Sequence, residues 1–70
     1  MKLSARNVFR GTVTAMQVGP IMASVQVDIG GGHVISALIS AAAVKDLGLA
    51  EGSPVSTIVK ATEVMVATDE

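Results

Sequence analysis

Seventy residues with no cysteine, a single histidine and a formal net charge of −1 make one small domain at most, spanning residues 1–70, with neither a disulfide framework nor a Cys/His metal cluster to staple it. A chain this short buries only ~60% of its unfolded surface, yet half of it is hydrophobic and Phe9 is its one aromatic ring, so association with further copies is the remaining source of stability. The five Lys and Arg are scattered and stacking aromatics are missing, which argues against nucleic-acid binding. No apolar run approaches the ~20 residues of a membrane span, and no secretory leader is recognisable, so no membrane partner and a cytoplasmic location are expected.

The chain begins with Ser4-Ala5-Arg6-Asn7, a hydroxyl, a guanidinium and a carboxamide within one short run. All three donate hydrogen bonds, as do the backbone N–H groups between them, which suits an acceptor-only anion; the other reading is a solvated N-terminal arm. Residues 8–18 alternate as a strand, with Phe9, Gly11, Val13 and Ala15 on one face, and Gly11 suggests a bulge or bend. Gly19-Pro20 is a turn. Residues 21–29 alternate cleanly, Ile21, Ala23, Val25, Val27 and Ile29 against Met22, Ser24, Gln26 and Asp28. Gly30-Gly31-Gly32 then reads as a hairpin loop, because a strand and not a Lys-Ser/Thr helix start follows.

Residues 33–39 form the third strand. Ser40 is placed as the N-cap of a short helix through Ala41, Ala42, Ala43, Val44, Lys45, Asp46 and Leu47, with Gly48 at its C-terminal turn and Val44 and Leu47 sharing a buried face. Glu51-Gly52-Ser53-Pro54 is a turn, residues 55–61 a fourth strand, residues 63–68 a short fifth strand through Val64, Met65 and Val66, and Thr68-Asp69-Glu70 a polar tail. Three strands, a helix and two strands is the layout of an all-β, five-stranded Greek-key OB barrel with one short helix between strands 3 and 4.

Catalysis finds little support. His33 and several serines could be drawn as a triad, but no nucleophile elbow surrounds any serine. The carboxylates Asp28, Asp46, Glu51, Glu63, Asp69 and Glu70 read as solvated, and the methionines show no ligand spacing. Two further places suit an anion. Lys60-Ala61-Thr62 sets a cation beside a hydroxyl, though an ordinary edge lysine is an equal reading. The start of the helix offers the N–H groups of Ala42 and Ala43 along a favourable dipole.

Three motifs in order carry a resemblance over essentially the whole chain: Ser4-Ala5-Arg6-Asn7, then Asp46-Leu47-Gly48-Leu49-Ala50-Glu51-Gly52, then Val59-Lys60-Ala61-Thr62-Glu63-Val64-Met65. The chain resembles the molbindin, or Mop, domain. The resemblance implies an OB-fold subunit that binds molybdate or tungstate, needs no other cofactor, and assembles as a homohexamer, a trimer of dimers, with oxyanions between subunits. It implies a site in which Ser4, Ala5, Arg6, Asn7, Lys60, Ala61 and Thr62 supply donors and a neighbouring subunit adds the helix start at Ala42 and Ala43. A second class of site is expected at the turn of Gly19, Ile21 and Met22. Ala43 departs from the family, which often carries a Ser there whose hydroxyl reaches the ligand, and Val8 replaces a frequent Gln. The chemistry agrees with the resemblance: a tetrahedral dianion needs many donors and few carboxylates, and Arg6 and Lys60 would supply the charge-assisted bonds. The function expected is intracellular binding and storage of molybdate or tungstate without enzymatic activity; the alternative is an OB-fold interaction or nucleic-acid-binding module.

Overall fold

The computed structural model describes residues 1–69; Glu70, the end of the expected polar tail, lies outside the described residues. The chain runs β1 (Asn7–Val18), β2 (Met22–Gly30), β3 (His33–Ser40), α1 (Ala41–Leu47) and β4 (Pro54–Val59), then a single 3-10 turn, Ala61–Glu63. The strands form one antiparallel sheet in the order β3-β2-β1-β4. Three strands joined by hairpins, with a fourth returning through the helix to lie beside the first, make a Greek key.

The sheet curls around a small aliphatic core of Val13, Ala23, Val25, Val27 and Val44, flanked by half-buried Met16, Ile29, Ile35, Ile39, Leu49 and Val55. Strand β2 supplies three of the five because its period-two pattern is unbroken and both its neighbours are paired. Strand β1 does not keep one face throughout. Its register with β2 shifts between Val13 and Ala15, leaving Thr14 as an extra residue whose hydroxyl donates to the Gln26 carbonyl at 3.4 Å. The bulge inverts the alternation, so Ala15, expected inside, is exposed and Met16 packs inward. Gly11 is needed for a different reason from the bulge: a Cβ there would collide with the Asp28 carbonyl and the Val27 side chain.

The glycine run closes the β2–β3 hairpin. Gly31 and Gly32, between paired Gly30 and His33, have φ of 64° and 80°, the left-handed values that a two-residue loop of this hand requires at both positions. Asp28 Oδ1 accepts the Gly30 N–H at 2.7 Å and fixes the loop's entry. Ser40 caps the helix through an Ala43 N–H to Oγ bond of 3.0 Å, and Gly48 ends it at φ 61°. Val44 is buried, but Leu47 is 69% exposed: the turn at Gly48 brings Leu49 back instead, its N–H donating to the Val44 carbonyl at 3.0 Å.

The expected fifth strand does not form. Strand β4 ends at Val59 and not Ala61, and residues 64–67 belong to no strand among the described residues. Val64, Met65 and Val66 have the side chains of a strand but lie in the open, Met65 93% and Val66 90% exposed. The single chain is thus a curled four-stranded sheet with a gap between its outer strands.

Candidate functional site

Strands β1 and β4 pair from Thr12↔Pro54 down to Asn7↔Val59. One step beyond the last pair, the chain before β1 and the chain after β4 leave the sheet side by side. Residues 52 positions apart in sequence are joined there by a bond from Asn7 Nδ2 to the Val59 carbonyl at 3.2 Å. This juxtaposition makes an open hollow of about 210 Å³ lined by Ser4, Ala5, Arg6, Lys60, Ala61 and Thr62. Pairing alone explains it, since an antiparallel ladder brings the residue before one strand opposite the residue after the other.

The lining holds two cationic side chains, two hydroxyls and no carboxylate. The 3-10 turn stiffens its far wall, with the Glu63 N–H donating to the Lys60 carbonyl at 2.9 Å. Ser4, Arg6, Lys60 and Thr62 are all exposed, and Ala5 is half-buried, so the donors are accessible from solvent. Such a set is suited to holding a compact anion in a shallow seat.

Six of the seven residues expected around this seat line it. Asn7 does not: its carboxamide is the clasp between β1 and β4 beneath the hollow. A carboxamide at a strand start has backbone carbonyls within reach, and the short cross-strand bond uses its donor.

The helix start lies elsewhere in the subunit, and neither Ala42 nor Ala43 lines the hollow. One of the two N–H groups expected to be orphaned is already bonded, as is that of the residue before them. That of Ala43 is occupied by Ser40 Oγ, and the Ala41 N–H donates to the Ile21 carbonyl at 2.8 Å. The Gly19 turn forms a second, larger hollow of about 490 Å³, lined by Gln17, Val18, Gly19, Met22, Ala23, Ser24 and Leu38. Ile21, expected there, is absent from that lining; its backbone holds the helix start and its side chain is 74% exposed. Gln17, Ser24 and Leu38 escaped the sequence reading because they meet only through the register Gln17↔Ser24↔Leu38 across three strands. No cluster of three or more His, Cys, Asp or Glu side chains capable of holding a metal cation occurs among the described residues.

A family model described as the TOBE domain matches residues 3–66. A probable molybdenum-pterin-binding protein of Haemophilus influenzae is 48% identical over 69 residues, 99% of this chain and 100% of that one. The chain belongs to the TOBE-domain family, among its molbindin (Mop) members. Solved structures of molybdate-binding proteins share its fold. A molybdate-binding protein from Sporomusa ovata superposes with a TM-score of 0.90 at 38% identity, covering 97% of this chain and 100% of that one. The cytoplasmic molybdate-binding protein ModG, in a form with molybdate bound, gives 0.83 at 44% identity over 87% of this chain and 43% of its own. The hollow at Ser4, Arg6 and Lys60 therefore sits at a corner of a molbindin subunit. No helix among the described residues is long and apolar enough to cross a membrane.

Proposed function

We propose that this molbindin binds molybdate or tungstate as a cytoplasmic store or buffer of the oxyanion, and is a binding protein with no catalytic role. The observation that carries the reading is the hollow in which Arg6 and Lys60 converge with Ser4 and Thr62 and no carboxylate. Two cations balance a dianion, and charge-assisted bonds to Arg6 and Lys60 are the strong ones. The relatives' names, molybdenum-pterin-binding and molybdate-binding, support the choice of anion.

The seat is shallow in one subunit, and the donors that close over the anion come from a second copy, whose helix start at Ala42 and Ala43 faces the hollow. Ala42 is exposed and free to make such a contact. The assembly is a homohexamer, a trimer of dimers built on closed five-stranded OB barrels, and the Gly19, Ile21 and Met22 turn forms a second class of oxyanion site. The exposed Ile21, Met22, Leu38, Leu47 and Ile58 supply the apolar surface that assembly covers.

Calorimetric titration with molybdate, tungstate and sulfate tests the proposal, with single-stranded DNA in a gel shift as the control for the interaction-module alternative. Molybdate and tungstate bind and DNA does not. Arg6→Ala lowers molybdate affinity about ten- to a hundredfold, the worth of a hydrogen bond to a charged group. Arg10→Ala, which projects from mid-β1 opposite Ser56, changes it little. Equal losses for the two would mean general electrostatics and no site.

A further inference from the structure

The two walls of the anion hollow are held by different means. On the Lys60 side the 3-10 turn fixes the backbone, the Glu63 N–H donating to the Lys60 carbonyl at 2.9 Å and the Val64 N–H to the Ala61 carbonyl at 3.4 Å. On the other side Ser4, Ala5 and Arg6 precede β1 and make no hydrogen bond to the rest of the chain among the described residues. The course of that wall is set where it enters the sheet, at Asn7. The ladder is weakest there, because Asn7↔Val59 is its terminal pair and the ends of elements fray first.

Asn7 is half-buried, at a strand position that a β-branched or aromatic side chain suits better than a carboxamide. What the carboxamide adds is its bond from Nδ2 to the Val59 carbonyl at 3.2 Å. Asn7 follows Arg6 and Val59 precedes Lys60, so this bond joins the roots of the two walls and fixes the separation of the two cationic residues' backbones. Successive side chains of an extended chain turn to opposite faces. A residue next to Arg6 is therefore suited to bracing it from behind, and Asn7 is absent from the lining of the hollow.

We propose that Asn7 is a positioning residue of the anion seat: without touching the anion, its carboxamide holds Arg6 at the distance from Lys60 at which the two act on one ligand. The proposal rests on the reading of the hollow as an oxyanion site and names what organises it. A seat whose donors are already in place spends less of its binding energy on ordering them. With the Nδ2 bond removed, every donor of the lining is still present, but the Arg6 wall is free to swing away from the braced Lys60 wall, and the two cations then act as separate charges.

Calorimetric titration with molybdate at one ionic strength tests this on Asn7→Ala and on Asn7→Gln, which keeps a carboxamide on a stem one methylene longer. Asn7→Ala should weaken binding about three- to tenfold, the fold-change that a hydrogen bond of ordinary strength converts to, and Asn7→Gln should recover part of the loss. The deciding readout is the coupling between Arg6→Ala and Lys60→Ala. Their effects should be non-additive in the unaltered protein and additive in the Asn7→Ala background. Val25→Ala, which loosens the core and leaves the corner alone, should keep that coupling, so a general loss of stability does not imitate the result. Native affinity in Asn7→Ala overturns the proposal and leaves the seat standing. Weakened binding with the Arg6–Lys60 coupling undiminished also overturns it, because Asn7 then acts on the anion directly or through stability alone. If Asn7→Ala does not fold, the same cycle is run in Asn7→Gln, where a reduced coupling is expected and an undiminished one overturns the proposal. An unaltered protein that does not bind molybdate overturns the reading of the hollow itself.

Discussion

The middle of the sheet and its corner are built from opposite materials. At the β1–β2 pair, Val13, Val25 and Val27 are nearly inaccessible and their backbones are laddered. At the corner beyond Asn7↔Val59, Arg6, Lys60 and Thr62 are exposed and regular pairing has ended. Aliphatic packing holds the molecule, and the polar chain ends that it brings together are left to hold something else. The sheet sets the distance between those ends.

Substitutions should separate the two regions. The largest effect is expected in the middle. Gly11→Val forces a side chain into the Asp28 carbonyl and should destabilise by about 3 kcal/mol or more, seen as a large fall in the denaturant midpoint. Val25→Ala, which empties space at the centre of the core, should cost about 2 kcal/mol while the folded fraction keeps its molybdate affinity. A parallel fall in affinity would mean that the core shapes the seat directly. Ser40→Ala removes the helix cap and should cost about 1 kcal/mol, measured by thermal unfolding.

The smallest effect on stability is expected for Ala43→Ser, at about half a kcal/mol. The Ala43 N–H is already taken by Ser40, so any gain must come from the new hydroxyl of the neighbouring copy. Molybdate affinity should rise by about tenfold, the lower end for a bond to a charged acceptor. Unchanged affinity with the assembly intact would place this position away from the anion.

Elements with a strict local signature were legible in the sequence. Strand β2 shows unbroken alternation, Ser40 and Gly48 bracket the helix, and the glycine run marks a hairpin. What failed depended on partners. The inversion of Ala15 and Met16 follows from a bulge set by the register with β2. Leu47 is exposed because Leu49 takes its place after Gly48. The expected fifth strand is not among the described elements: residues 64–67 have strand-forming side chains, but pairing is a matter of tertiary placement, and they join neither free edge of the sheet, β3 or β4. At the corner, no spacing rule links Ser4 and Arg6 with Lys60 and Thr62; the family resemblance brought them together, and the β1–β4 ladder supplies the physical reason. Asn7 was grouped with them by adjacency, whereas its carboxamide serves the ladder.

The claim on which the account turns is that the two chain ends act as one seat. A double-mutant cycle with Arg6→Ala and Lys60→Ala, read by calorimetric titration with molybdate at one ionic strength, measures this directly. The account predicts that each single change weakens binding strongly and that the pair is non-additive by about 0.5 kcal/mol or more, as for residues sharing one ligand. Small, strictly additive losses would contradict it, leaving two independent surface charges and no shared site.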